Sequence, residues 1–362
     1  MTLLPSRVDL LTFPKFSLVS DSSVEVQPPA DASSSDPHRG DALTDAERRE
    51  LMRIKSGRVA LDLGICWGLL LASLEAAIVL DTWFVTAVIF VFIGCLQNGL
   101  ISWVHEASHC NIHRNRKLND LFSDLFICGP VGISVDQYRW HHVSHHKYLG
   151  DSEKEVELPA WLCLRGGNLF AEIARHMFGF FALNVILRKR RYSQPGAKHR
   201  PPPPRSLAGW LGFLGGNGLL FLFCALQGSW YLYFVLWVAP LFTIALLVTN
   251  LRTVVEHQAS SDVCDLGPVK MPAITRVIDA NPVERFLVAP VGFFYHYEHH
   301  LYPSIPYHRL SEARKILAGR GHFDRKEIVR VKGYTRTLWR LAMEPGYGIR
   351  LLNPFFEPDA AH

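Results

Sequence analysis

The sequence predicts an all-α integral membrane protein. Four transmembrane helices form two hairpins, and a cytosolic helical cap carries a histidine-ligated di-metal site. Three observations lead there. The 362 residues are 49% hydrophobic and 12% aromatic, and the mean hydropathy is slightly positive at +0.10. The apolar residues are gathered into runs of about 20, the length that crosses a ~30 Å hydrocarbon layer at 1.5 Å per residue. The histidines recur at helical spacing just beyond the ends of those runs.

Residues 1–43 come first and read as a disordered tail. "PPADASSSDPHRGD" has breakers and no periodicity, and Pro14-Lys15 interrupts the short apolar "LLTF", so no signal peptide is expected. Order is predicted from Thr44, where Thr44 and Glu47 form a capping box. Four spans follow, at about 59–80, 83–104, 207–226 and 230–249. Asp81-Thr82 alone separates the first pair and Gln227–Ser229 the second, so each pair must fold as an antiparallel hairpin. Trp83, Trp230, Tyr231 and Tyr233 stand where interfacial aromatics are expected. Asp62 lies near an end of span one and can reach the interface. Glu75 lies deeper, where a charge costs roughly 2.5–3.5 kcal/mol. "RPPPPR", 200–205, is a stiff connector into span three.

Lys and Arg set the orientation. Arg48, Arg49, Arg53, Lys55 and Arg58 precede span one, while Arg188-Lys189-Arg190-Arg191, Lys198, Arg200 and Arg205 precede span three. The hairpin tips carry none, which puts both termini and the segment 105–206 in the cytosol. The net charge of +5 is thus a topology signal, and nucleic acid is not an expected partner because no basic stripe forms. The seven cysteines include no CxxC pair and read as reduced thiols.

The chemistry lies in the seventeen histidines. His105 and His109 are four apart in "HEASH", which fits the HExxH pattern of a zinc protease. His142, His145 and His146 in "HHVSHH", and His296, His299 and His300 in "HYEHH", repeat an HxxHH spacing. His257 follows span four. Residues three and four apart share a helix face, so each box aims its imidazoles in one direction. All nine fall at one depth, just outside the same membrane face. Imidazole suits Zn, Cu, Fe and Ni, and a catalytic zinc needs only three protein ligands. Nine nitrogens suit two ions of larger coordination number, each with an open position. Glu106, Glu256 and Glu298 adjoin ligands and either orient the imidazoles or are ordinary helix charges.

Together "HEASHCNIHRNRKLND", "RWHHVSHHKYLGD" and "YHYEHHLYPSIPYHRL" resemble the membrane-bound fatty acid desaturase and hydroxylase superfamily, closest in its bacterial desaturase branch, over roughly residues 50–320. The resemblance implies a membrane desaturase domain at 44–320 and a cytosolic C-terminal extension at 321–362. It implies two ferrous ions held by His105, His109, His142, His145, His146, His257, His296, His299 and His300, with no catalytic residues beyond these ligands. It also implies O₂ as co-substrate, a double bond introduced into an alkyl or fatty acyl chain at the membrane face, and residence in a bacterial inner membrane. In acyl-CoA-type members an Asn four residues before the extra His assists through water; here that position is Thr253, with Asn250 a turn further back. His113 and His141 lie off the pattern and read as structural. No HPGG is present, so a separate electron donor, ferredoxin or cytochrome b5, is implied. Arg314, Lys315, Arg320, Arg325, Lys326, Arg330, Lys332, Arg336 and Arg340 either dock it or form a solvated or lipid-facing surface. Arg139 or Arg188–Arg191 are candidates to hold a substrate head group.

Other readings stay open at this stage. Hydroxylases share the boxes, and some relatives act on non-lipid alkyl metabolites. An intramembrane zinc protease gains a little from "LDLG", 61–64, but that motif precedes the HExxH and both HxxHH boxes are left unexplained. A metal transporter or sensor would place its ligands within spans or in low-complexity loops.

Overall fold

The computed structural model describes residues 42–149, 169–183, 186–187, 202–257, 275–325 and 328–344. The basic run Arg188–Arg191, Cys163, Cys264, residues 1–41 and residues 345–362 lie outside them. Helix α1, Asp45–Leu51, begins with the expected capping box: Thr44 Oγ1 accepts from the Glu47 amide, and the Glu47 carboxylate accepts from the Thr44 amide at 2.8 Å. Just before it, buried Leu43 donates its amide to Tyr302 Oη at 3.0 Å.

Four long apolar helices are present: α2, Ser56–Leu80; α3, Trp83–Ser108; a helix at Leu207–Leu226; and another at Tyr233–His257. Each is long and apolar enough to cross a membrane. Leu61, Ile65, Leu71 and Val79 of α2 and Leu211, Leu214, Leu219 and Leu222 of the third are exposed. A contiguous apolar surface of this kind is suited to lipid rather than water. The chain is an integral membrane protein on this evidence of length, composition and outward face. Asp62 is anchored at the end of α2 by Arg58 Nε at 2.6 Å and by the Tyr307 hydroxyl, which donates at 2.8 Å. Glu75 makes no hydrogen bond or ion pair among the described residues.

After α3 comes α4, Arg116–Ser123, capped by Asn115, and then a π-helical turn at Asp124–Cys128. Helix α5, Val135–Tyr148, carries the first HxxHH box. Buried Asp124 ties these parts together: its Oδ1 accepts from the Val135 amide at 2.7 Å and its Oδ2 from Ser206 Oγ at 2.5 Å. Helix α6 is Leu169–Met177, and the third long helix, Leu207–Leu226, is α7. At Gly212 α7 lies directly on the π turn, where an added Cβ would meet Asp124 O at 2.0 Å.

Helix α8, Tyr233–His257, is wound wide in two places, Tyr233–Val238 and Leu241–Ala245. Pro240 between them lacks the amide that a regular helix would bond, and π turns absorb such defects. The remaining elements are β1, Val277–Ile278; α9, Pro282–Leu287; α10, His296–Leu301; α11, Leu310–Gly319; β2, Arg330–Val331; and α12, Tyr334–Met343. The strands pair in parallel, Val277 with Arg330 and Ile278 with Val331. This ladder brings Val329, Val331 and Tyr334 into one apolar cluster with Val255, Ala289 and Phe293, beside the histidines.

Candidate metal centre

Four helix ends converge: α3, α5, α8 and α10. The nine histidines fall into two groups. His105, His109, His142, His146 and His299 make one, and His145, His257, His296 and His300 the other; within each, the ligand atoms lie within 4.8 Å of one another. Helix α3 runs on to Ser108, past the expected end of span two, so His105 lies within the long helix and His109 caps it.

Each HxxHH box serves both groups. The i, i+4 pair of α5, His142 and His146, joins the five-histidine group, and His145 turns to the other. In α10 the pair is His296 and His300, which join the four-histidine group, and His299 crosses over. The split follows from the ~100° between successive helical residues: neighbours on a helix cannot aim at one point.

The ring nitrogens meet edge to edge. His142 and His146 Nε2 are 2.9 Å apart, His146 and His299 3.2 Å, His145 and His300 3.3 Å, and His296 and His300 3.1 Å, while His257 Nε2 closes on His296 Nε2. An octahedral ion with bonds of ~2.1 Å sets neighbouring donors ~3.0 Å apart, so these separations are those of ligands around a common centre. His105 and His109 both present a buried Nε2 with no hydrogen-bond partner. Burial, then Arg139, pushes His109 down to about 3, and burial holds His142, His146, His296, His299 and His300 well below the ordinary imidazole range. Neutral imidazole is the form that binds metal. The donor set therefore fits two adjacent metal ions.

The three glutamates divide. Glu106 is an orienting acceptor: its Oε1 is 3.3 Å from His105 Nδ1, and its Oε2 accepts from the Tyr307 amide at 2.9 Å and from Asn111 Nδ2 at 3.2 Å. Glu298 faces away and takes both Nε and Nη2 of Arg314. Glu256 is buried between Tyr334, whose hydroxyl donates to Oε1 at 2.9 Å, and His296, whose Nε2 is 3.9 Å from Oε2.

Arg139 is committed elsewhere than to a head group. It donates to Ser108 O at 2.8 Å, to Asp136 Oδ1 at 2.7 Å and to Asp120 Oδ1 at 2.5 Å, clamping α5 to the end of α3. His113 is structural, its Nδ1 accepting from the Asn115 amide at 3.0 Å. The ring of His141 lies 6.1 Å from that of Trp140. Asp62 of "LDLG" belongs to neither histidine group, so the protease arrangement is not formed. Several basic residues expected as a docking surface are paired: Arg314 with Glu298, Arg320 with Glu47, Arg330 with Asp279 and Arg340 with Glu344. Tyr334 and Tyr307 had no local sequence signal, since each reaches the site from a segment distant in the chain.

Comparison with known proteins agrees with this geometry. The fatty acid desaturase profile matches residues 81–327. Dihydrorhizobitoxine desaturase of Bradyrhizobium elkanii is 26% identical over 262 residues, 68% of this chain and 71% of the relative. A sphingolipid delta(4)-desaturase of Drosophila melanogaster is 26% identical over 274 residues, 74% and 75% of the two chains. An sn-1 acyl-lipid omega-3 desaturase (ferredoxin) of Synechocystis is 21% identical over 281 residues, 69% and 72%. With the profile covering more than half the chain and the two histidine groups in place, this protein belongs to the fatty acid desaturase family and is a desaturase-family oxidoreductase.

Proposed function

We propose that this chain is an O₂-dependent di-iron desaturase that introduces a carbon–carbon double bond into the alkyl chain of a lipid or lipid-like substrate at the membrane face. The observation that carries the reading is the pair of interleaved histidine groups, carried at the ends of two of the four apolar helices, α3 and α8, and on the short helices α5 and α10. The balance is R–CH₂–CH₂–R′ + O₂ + 2 e⁻ + 2 H⁺ → R–CH=CH–R′ + 2 H₂O. Two ferrous ions, when bound, supply the O₂ activation that hydrogen removal from an unactivated methylene requires.

The nine histidines would hold the ions, five at one and four at the other. Glu106 fixes the ring of His105 by accepting a hydrogen bond from its Nδ1–H, which leaves the Nε2 lone pair for a metal ion. Arg139 holds the first two boxes in register. Phe293, whose ring centroid is 4.5 Å from that of His105, keeps water from that flank. Electrons come from a separate ferredoxin or cytochrome b5; a relative named as ferredoxin-dependent supports the former. The desaturase unit spans 44–320, with residues 328–344 of the C-terminal extension packed on it, both termini are cytosolic, and the membrane is the bacterial inner membrane.

The relatives' names span dihydrorhizobitoxine, sphingolipid and acyl-lipid substrates, so the test reads lipids and polar metabolites alike. Wild type and His299→Ala are expressed in a host with its own ferredoxin, extracts are compared by mass spectrometry, and bound metals are quantified. A new unsaturated product in the wild type alone, with about two irons per chain, is expected. A hydroxylated product would move the chain to the hydroxylases, and stoichiometric zinc without iron would overturn the di-iron reading.

A further inference from the structure

The ligand pattern has a reciprocity with one place unfilled. The five-histidine group is built from two i, i+4 pairs, His105/His109 and His142/His146, plus a single residue, His299. The four-histidine group has one such pair, His296/His300, the single residue His145, and His257. The counterpart of the α3 pair would place a donor four residues from His257 on α8. That residue is Thr253, and its hydroxyl donates to Thr249 O at 2.9 Å.

A carboxylate stands just outside the 4.8 Å cluster of those four ring nitrogens. Glu256 is 1% exposed, and Tyr334, at 0%, donates to its Oε1 at 2.9 Å. Oε2 approaches His296 on Nε2, the nitrogen that faces the other ligands, at 3.9 Å. A carboxylate serving only to orient that ring would sit on Nδ1 instead, as Glu106 does for His105. The nearest cation does not consume Glu256: Arg252 Nε is 3.9 Å from Oε1 and has no hydrogen-bond partner of its own, and the guanidinium lies 3.5 Å over the Phe293 ring. Charge argues the same way. Glu106 sets a buried carboxylate beside the five-histidine group, whereas an ion held by the four histidines alone would be a buried cation whose ligands are all neutral, which is costly in a low-dielectric site.

We propose that Glu256 completes the four-histidine site as its oxygen donor, and that Tyr334 holds the carboxylate in place. The inference rests on the two-metal reading above. Tyr334 is itself fixed. Glu284 Oε1 accepts from its amide at 3.0 Å, and Gly333 before it takes φ 74°, where a Cβ would meet Glu284 Oε2 at 2.7 Å. The segment after residue 321 thereby becomes part of the metal centre, with Tyr334 as a positioning residue.

The test uses cobalt(II) as probe on the full-length purified chain, so it does not depend on which metal the cell supplies. Wild type, Glu256→Gln and Tyr334→Phe are titrated with Co²⁺, and affinity and the visible ligand-field spectrum are recorded. Expected are two ions per wild-type chain, a loss of about tenfold or more at one site in Glu256→Gln with a changed spectrum for that ion alone, and a smaller shift at the same site in Tyr334→Phe. Unchanged affinities, or an equal weakening of both sites with unchanged spectra, would overturn the assignment. Should Glu256→Gln fail to fold, Tyr334→Phe keeps the question answerable, since it removes one oxygen and retains the ring. A wild type that binds two cobalt ions yet carries only zinc from cells would sink the di-iron reading and leave this assignment standing.

Discussion

Replacing Arg139 with Met removes the clamp between the first two boxes while keeping most of the stem. Six hydrogen bonds from the guanidinium are lost: Ser108 O at 2.8 Å, Ala107 O at 3.3 Å, Asp136 Oδ1 at 2.7 Å, Asp120 at 2.5 and 3.0 Å, and a weak one to Cys110 Sγ at 3.8 Å. Asp120 and Asp136 are not stranded, since their side chains are 20% and 43% exposed and Arg116 lies 3.5 Å from each. Ala107 O keeps Asn119 Nδ2 at 2.9 Å, which leaves Ser108 O as the group that loses most. Breaking a fully buried pair costs about 3–5 kcal/mol, and water at the two aspartates places this case at the low end, about 3 kcal/mol. That is about two orders of magnitude in the folded-to-unfolded ratio. Arg139→Lys keeps the charge but not the fork, and roughly half the loss is expected. Denaturant titration of the detergent-solubilised protein reads the effect, and a double-mutant cycle with Asp120→Asn isolates the pair. A loss under ~0.5 kcal/mol in Arg139→Met would refute the clamp.

Other outcomes follow from the same geometry. His145→Ala and His146→Ala, though adjacent in sequence, should each abolish a different ion, the four-histidine and the five-histidine one; identical residual cobalt spectra would contradict the interleaving. Glu106→Gln should weaken metal binding about 10–100-fold in a chelator competition while the melting point stays nearly unchanged. Gly212→Ala forces a methyl into Asp124 O and should cost at least ~1–3 kcal/mol in the same denaturant assay, with wild-type stability showing that α7 does not approach the π turn so closely.

Much of the fold was legible because its signals are local. Runs of about 20 apolar residues and two hairpin tips of two or three residues leave few choices for the chain. The nine histidines were legible for a like reason, since i, i+3 and i+4 spacing puts them on one face of whatever helix forms. Their partition was not, because it depends on the angles at which α5 and α10 enter the centre. Arg139 looked like a free cation because Asp120 and the carbonyls of Ala107 and Ser108 are 19 to 32 residues away. Whether Glu106 orients a ring or is an ordinary helix charge was not legible, because one of its donors, the amide of Tyr307, is 201 residues distant. Residues after 321 read as an appendage because the β1–β2 ladder that draws them in is two residues long and has no periodicity to find.

The wide turns of α8 set a phase. Every residue added to a helix rotates all that follow by about 100°. The two loose stretches flanking Pro240 take up extra residues upstream of His257, so a residue lost there, such as Phe242, would let a wide turn close to a regular one and leave that imidazole near its bearing. The regular stretch beyond them, Leu246–His257, has no such slack. Removing one residue from it would alter no ligand, yet it would swing His257 about a quarter-turn out of the site.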